Sequence, residues 1–419
     1  MARPKNHAKL FDFVKNIVNN PNFIDKYKRN KSDFTRNRVW DFSTCFFFIS
    51  RFLNKRIQTE IDQYFSSNNS EFFRTATASS FTQARSKISY KAFEKVNQKL
   101  VNYFYTNSFN IKTFHGFRLV AIDGSVFTVH RNKETIKAFG DNVLSKGKTW
   151  VKAQISYATD VLNNICLDAT INPYKTDERN LAKNHLKRLK GNDLFLFDRG
   201  YLSRELIEQL LITGKNFCMR LPKRSLKEIN DFTESEHQDG LIEILINKKI
   251  YTLRITKISL KSGEIEYLAT TLTNQNSIGK KQLKSLYSMR WGVEEQFKDF
   301  KHALAIENFT GKKINSIKQE FFANIMGYNL AMMAFYNPIS QKKIEKKYRY
   351  KPNKRACLAI LKIKWKELFF STKSIFNLVE NIVEALLKEI IPIRDGRSHP
   401  RGDTQKIKKK HFSNYVSVV

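Results

Sequence analysis

Acidic side chains are scarce in this chain: 39 Asp and Glu stand against 74 Lys and Arg, leaving a formal charge of +35 over 419 residues. Such an excess repels itself, which argues for a polyanionic partner, nucleic acid first and an anionic membrane second, over charge kept merely for solubility. Cysteine is nearly missing too. Cys45, Cys166, Cys218 and Cys357 lie far apart with no CxxC pair, so neither a zinc ribbon nor a disulfide framework is expected, and a reducing compartment fits. No apolar run is long enough to span a bilayer: the most apolar short one, residues 45–49, is soon followed by Arg51. The N-terminal MARPKNHAKLFDF has no signal-peptide pattern. The expected setting is therefore cytoplasmic, associated with the nucleoid and away from membranes. There is no internal repeat, no glycine loop to cradle nucleotide phosphates and no G-x-S-x-G elbow, so Ser125 beside Asp123 gives a Ser/His/Asp hydrolase little support.

What is present is a folding chain with a changing texture. Hydrophobic residues make up 41% and aromatics 13%, too much for disorder, and the length allows two or more domains. Residues 1–115 read as a helical DNA-binding region. Phe11, Val14, Ile17 and Val18 keep helical spacing up to Pro21, and residues 40–52 and 57–65 form further helices. In TASSFTQARSKISYKAF, Ser79 or Ser80 is expected to cap a helix that turns Gln83, Arg85 and Lys87 outward toward DNA, a solvated face being the plain alternative. At Phe117 the pattern changes. FRLVAIDGS reads as a buried strand ending at Asp123, residues 150–157 and 161–171 as two strands joined by a turn at Asp160, and residues 177–189 as a helix. DLFLFDRGY is a second buried strand ending at Asp198, with Arg199-Gly200 as its exit turn; a helix over 202–212 and a strand over 216–221 follow.

Three strands, helix, strand, helix, strand is the order of a ribonuclease H-like layer, so the fold class is α/β with several domains. The first part of this core covers 116–222, and residues 223–285 read as a β insertion with strands near 241–246, 251–258 and 265–272. Residues 286–336 return to the core. Residues 337–419 are a helical C-terminal region whose tail, dense in cations, suits an extended arm on phosphates or a plain basic tail.

The stretch that ties these parts together is LYSMRWGVEEQFKDFKHAL, residues 286–304. Laid on one helix, Leu286, Met289, Val293, Phe297, Phe300 and Leu304 form an apolar stripe. Tyr287, Arg290, Glu294, Lys298 and Lys301 fall beside it within an arc of about 80°. Helical phase selects Glu294 over Glu295. The bland alternative is an amphipathic helix with ion pairs. Asp123, Asp198 and Glu294, converging from two strands and a helix with no His or Cys ligand, favour a hard cation. Mg²⁺ fits, with Mn²⁺ as substitute, and two ions about 4 Å apart could activate an attacking oxygen and stabilise a leaving one.

These residues resemble a known family. Y-x-x-R-x-x-x-E-x-x-x-x-x-x-K, here Tyr287, Arg290, Glu294 and Lys301, is similar to the signature of the insertion-sequence-four transposases. IDGS at Asp123 and DRGY at Asp198 resemble the family's two aspartate motifs, and FTQARSKISYKAF and IPIRDGRSHPR its flanking segments. The resemblance implies a DDE enzyme on a ribonuclease H-like core interrupted by a β insertion. It implies Asp123, Asp198 and Glu294 as catalytic metal ligands, and Tyr287, Arg290 and Lys301 gripping a phosphate near the cut; Lys298 and Arg199 are expected among the DNA-binding residues. Trp291 matches an aromatic of the motif, for which core packing is the first reading and stacking on a displaced base the second. The implied activity is cut-and-paste transposition. Inverted-repeat ends of double-stranded DNA are hydrolysed to free 3′-hydroxyls, sometimes through a hairpin, and joined to target DNA by a homodimer. A catalytically silent end-binding protein and a nuclease without strand transfer remain the alternatives.

Overall fold

The computed structural model describes residues 5–393 apart from 37, 67–74, 108, 144–148, 223–225, 261–262, 344–347 and 372–373. The basic tail from 394 onward and the expected Lys261-Ser262 turn lie outside the described residues. The chain divides into two compact units. One comprises Met1–Asn110, Val129–Ala138 and Asp299–Val419, the other Ile111–Thr128 and Phe139–Lys298.

The first unit is helical, and phenylalanine fills its core. Phe46 on the helix Phe42–Ile49 stacks on Phe93 at 4.3 Å, and Phe47 lies 4.6 Å from Phe369. The helix Ile314–Ala331, continued by the π turn Met332–Tyr336, is buried almost all round, as a helix apolar on every side must be. The helix Ala78–Arg85 starts two or three residues earlier than expected. Thr77 is its cap, accepting from the Ser80 N–H while the Ser80 hydroxyl accepts from the Thr77 N–H. Arg85 corrects the sequence reading, because it faces inward and is 3% exposed. It lies four residues after the buried Phe81 and so shares that inner face. Its guanidinium pairs with Glu320 at 2.8 Å and donates to Gln319, Thr310 and the Ser316 carbonyl. Gln83 is exposed as expected, and Lys87 is half-buried with its ammonium 5.8 Å from the Phe34 ring centroid.

The second unit is built on one sheet of strands β1 (Arg118–Val129), β2 (Asp141–Val143), β3 (Thr149–Asp160), β4 (Ile165–Pro173), β5 (Asp193–Phe197), β6 (Asn216–Leu221), β7 (Asp239–Ile246), β8 (Lys249–Ser259) and β9 (Ile265–Thr270). Across the sheet the order runs β2-β3-β1-β5-β6-β9-β8-β7, with β4 also on β3. Counting β1, β3, β4, β5 and β6 as first to fifth, the order is 3-2-1-4-5 with β1, β5 and β6 parallel, a ribonuclease H-like core. Leu119, Val120, Ala121 and Ile122 on β1 are buried, as is every residue of β5. Strands buried on both faces must read as continuous apolar runs. Along the chain between β1 and β3 come the helix Lys133–Phe139, nearly all of it in the first unit, and the short β2, both unforeseen.

The insertion strands continue this sheet, since β9 pairs antiparallel with β6, Cys218 opposite Thr270. The turn between β7 and β8 is Asn247-Lys248, both at positive φ of 48° and 62°, the two-residue geometry that suits a twisted hairpin. The turn at Asp160 is built by its carboxylate accepting from the N–H groups of Leu162 and Asn163, so β4 starts at Ile165, four residues after Val161.

Candidate active site

Asp123 and Asp198 owe their neighbourhood to strand register. Arg118 on β1 stands opposite Asp193 on β5, and their side chains form an ion pair at 2.6 Å. The register continues to Ala121 opposite Leu196. Two residues further along come Asp123, on β1, and Asp198, the first residue past β5, which the same register continued would set level on one face. Adjacent strands lie about 4.8 Å apart, so the two carboxylates would share one space. Asp198 caps the short turn Arg199–Tyr201, its Oδ1 accepting from the Gly200 N–H at 2.9 Å. The Asp123 Oδ1 accepts from the Gly124 N–H at 2.8 Å.

The sequence reading ends β1 at Asp123-Gly124, but the strand continues to Val129. Ser-Val-Phe-Thr-Val is strand-favouring, and Gly124 is there for space. A Cβ on it would lie 2.3 Å from Glu178 Oε1 and 3.2 Å from Gln154 Nε2. Gly124 thereby leaves room over the strand for the Glu178 carboxylate, held by Gln154 Nε2 at 2.9 Å.

Glu294 comes from a helix that is not continuous. The expected single helix over 286–304 is a helix Lys280–Ser288, a helix Trp291–Lys298 and a π turn Asp299–Ala303. Between the first two, the N–H groups of Met289, Arg290, Gly292 and Val293 each bond to the carbonyl three residues back, a 3₁₀ step that resets the helical phase. The expected apolar stripe still turns inward: Leu286, Val293, Phe297, Phe300 and Leu304 are buried. The Trp291–Lys298 helix is pinned to β3 by the Thr159 hydroxyl on Gln296 and by Tyr157 stacked on Phe297 at 4.6 Å. At Gly292 a Cβ would stand 3.0 Å from Val161 Cβ, so glycine lets the helix approach the β3–β4 turn. Glu294 is half-buried, whereas Glu295 is exposed.

Arg290 is 5% exposed and grips Glu294, Nη2 to Oε1 at 2.7 Å, with its guanidinium 4.9 Å from the Trp291 ring centroid. Trp291 itself is 46% exposed, which overturns the core-packing reading. It stands on the helix face opposite the buried Gln296 and Phe297 pair. Tyr287 is buried, its hydroxyl held well above the ordinary phenol range first by burial, with Asp198 adding to the rise and Arg290 opposing it. Lys298 and Arg199 are exposed, and Lys301 falls on the π turn.

Electrostatics tie the acids together. Burial pushes Asp123 up to about 7; the Gly124 hydrogen bond and Arg290 pull it down, and Asp198 and Glu294 push it further up. Glu178 is an exposed residue whose carboxylate is raised by its partial burial and by the charge of Asp198. Tyr201, 2% exposed, has a buried hydroxyl with no hydrogen-bond partner. That hydroxyl feels Asp123, Glu178 and Asp198 together. Glu178, Gln154 and Tyr201 were missed in the sequence. Tyr201 closes the DRGY quartet and Glu178 opens a helix, but neither has spacing that distinguishes it from a turn or cap residue.

A second polar array lies deeper. His185 Nδ1–H donates to Asp168 Oδ2 at 2.7 Å, and its Nε2 stands 3.0 Å from Ser156 Oγ. The order Ser-His-Asp matches that of a hydrolase triad. Ser156 and His185 are wholly buried and Asp168 is 8% exposed, so no substrate reaches the hydroxyl. The array braces β3, β4 and the helix Glu178–Arg188 beneath the acidic cluster, with Ser156 Oγ also 3.5 Å from the Asp123 carbonyl.

Asp123 on the first strand of a ribonuclease H-like sheet and Asp198 just past the fourth set this chain in the class of ribonuclease H-like proteins. Within that class, this chain belongs to the transposase DDE domain family, which matches residues 115–330. Among curated relatives, the transposase InsG for insertion sequence element IS4 of Escherichia coli (strain K12) is 22% identical over 265 residues, 60% of each chain. The chain thus spans 60% of that relative's length. Among solved structures, the piggyBac transposase synaptic complex with hairpin DNA aligns over 98% of this chain and 90% of that one, at 13% identity and a TM-score of 0.45.

The family generally uses divalent metal ions. The residues fit such an ion in chemistry: all-oxygen donors, an aspartate driven toward neutrality first by burial and then by its acidic neighbours, and a buried unpartnered hydroxyl that feels their charge. In this conformation no three His, Cys, Asp or Glu side chains among the described residues are grouped closely enough to hold one. Glu294 is drawn to Arg290 instead. Among the described residues, no helix is long and apolar enough to cross a membrane.

Proposed function

We propose that this protein is a DNA transposase. It binds the double-stranded ends of a mobile element, hydrolyses a phosphodiester at each end to free a 3′-hydroxyl, and joins those hydroxyls to target DNA. The observation that carries this reading is the convergence on Asp123, which the continued register would set level with Asp198 and which feels the charges of Asp198 and Glu294. Membership of the transposase DDE domain family and a charge of +35 support it.

Asp123, Asp198 and Glu294 would hold divalent cations, magnesium with manganese as substitute and two at once, which when bound supply charge stabilisation at the attacking and leaving oxygens. Glu294 must first leave Arg290. The guanidinium so released, near Tyr287 and Trp291, is placed to receive a phosphate oxygen, and Trp291 offers an exposed face to a base. Lys298, Lys301 and Arg199 add cations for the backbone, and Gln83 and Lys87 are candidates for DNA contact on the helical unit. Assembly as a homodimer on two ends and residence at the nucleoid complete the proposal.

The test uses the purified protein, Mn²⁺ and duplex DNA ending in the repeats that flank its coding region. Nicking at the repeat boundary is expected, and Glu294→Gln should keep DNA affinity while nicking falls by roughly 10³-fold or more. Binding without cleavage by the wild-type protein would make it a silent end-binding relative. Cleavage without joining would make it a nuclease.

A further inference from the structure

The helix Trp291–Lys298 runs beside β3 in step with it. At Gly292 a Cβ would stand 3.0 Å from that of Val161, just past the strand. One turn on, Gln296 Oε1 accepts from the Thr159 hydroxyl, and next to it the Phe297 ring stacks on Tyr157 at 4.6 Å. Gly292 to Gln296 is about 6 Å of helix and Val161 to Thr159 about 6–7 Å of strand, so the two contacts keep pace. The β3–β4 ladder is irregular at the same place. Ala158 pairs with Asp168 but Thr159 with Cys166, which leaves Leu167 extra, and a bulge of this kind sharpens the local twist.

Stability alone does not account for Gln296. Its side chain is 1% exposed, and its Nε2 is buried with no partner among the described residues. An apolar side chain of like volume would leave no unpaired donor there, and burying one is costly. What glutamine adds is direction, because a hydrogen bond is directional and apolar contact is not. Its bond to the buried Thr159 fixes the rotation of the helix about its own axis. Rotation matters here, since successive helical residues stand about 100° apart and a slip of one position would set Val293 or Glu295 where Glu294 stands.

We propose that Thr159 and Gln296 are positioning residues for Glu294: their buried hydrogen bond holds the helix Trp291–Lys298 at the rotation and height that aim the Glu294 carboxylate at the cation site. This rests on Glu294 serving as a cation ligand, as proposed above, and gives neither Thr159 nor Gln296 a place among the reacting atoms. Thr159 supplies the donor, Gln296 the acceptor, and Gly292 the close approach that lets them meet.

The experiment is Mn²⁺ titration of the full chain bound to duplex DNA already cut at the repeat boundary, followed by the resonance signal of free Mn²⁺. Urea unfolding and DNA affinity in EDTA are measured beside it. Thr159→Val combined with Gln296→Met replaces both partners by apolar groups of similar shape, a change that is nearly neutral for stability. In this double variant the unfolding midpoint and DNA affinity should stay at wild-type values. The half-saturating Mn²⁺ concentration should rise roughly 10-fold, as when a group that orients a metal ligand is lost. Thr159→Ser keeps the hydroxyl and should stay within about twofold of wild type. Wild-type half-saturation in the double variant, with Glu294→Gln binding Mn²⁺ more weakly, overturns the proposal and leaves the Glu294 reading standing. So does a rise matched by a fall in the unfolding midpoint, which a merely structural pair would give, or a Thr159→Ser protein as impaired as the double variant. Glu294→Gln indistinguishable from wild type overturns the Glu294 reading and this one with it.

Discussion

Asp123 lies where burial, a backbone donor and two like charges meet, and burial is the largest influence. Its pKa moves from 3.8 to about 7, so between those values the metal-free folded protein keeps a proton that the unfolded chain has lost. The stability this contributes is full below 3.8 and is lost as pH rises through about 7. In EDTA, wild-type unfolding midpoints should therefore decline from about pH 5 to pH 7 relative to Asp123→Asn, which has no such proton. Parallel profiles for the two proteins would show that Asp123 is not held among uncompensated acids. Ser156 sets the opposite limit on what geometry alone implies. Its distance to His185 suits nucleophilic catalysis, but a fluorophosphonate should not label it in the folded protein, as mass spectrometry would show, because the array is sealed. The aspartates were readable as residues because apolar runs end in them. Glu178 and Tyr201 were not, because what singles them out is the space Gly124 leaves and a hydroxyl without a partner.

Two elements do the positioning, and each departs from its sequence pattern for a physical reason. The pair β1 and β5 is held in register by Arg118 and Asp193 at one end and carries Asp123 and Asp198 five residues further along. Arg118→Met would leave Asp193, whose side chain is fully buried, without its partner. That should destabilise the protein by about 3 kcal/mol in urea unfolding and slow nicking more than it weakens DNA binding, since breaking a buried pair leaves a charge uncompensated. An unchanged midpoint would mean that the apolar runs set the register without help. The helix carrying Glu294 departs more sharply. Periodicity over 286–304 predicts one rod, and burial follows that prediction, but the backbone breaks at Met289 and Arg290. A period of 3.6 cannot reveal one turn at 3.0, because buried residues remain buried on either side of it. The 3₁₀ step and Gly292 together decide where Glu294 faces.

At the scale of the whole molecule, charge is the dominant fact and the one least tied to any single residue. An excess of +35 predicts DNA affinity that falls by at least roughly 10³-fold between 50 and 200 mM salt, with EDTA present to suppress cleavage. A shallow dependence in a filter-binding or anisotropy titration would mean that the cations serve solubility, not phosphate contact. Composition does not say which cations reach DNA. Arg85, a plausible phosphate contact in sequence, is spent on Glu320 inside the helical unit, while Lys298 and Arg199 stay in solvent. The same scale explains the insertion: its three strands cannot cover their own edges, so β9 joins β6 and the core sheet grows to nine strands.

By itself, the order of residues determined the sequence of strands and helices in the core, the two apolar runs that end in aspartate, and the charge that calls for a polyanion. These depend on local periodicity and composition, which need no knowledge of what lies across the sheet. Only tertiary structure decided that Asp198 comes within the field of Asp123, that Arg85 turns inward onto Glu320 and that Glu178 enters the space above Gly124. Each of these depends on a partner distant along the chain. Register, burial and the room left by a missing side chain exist only once the chain has folded back on itself.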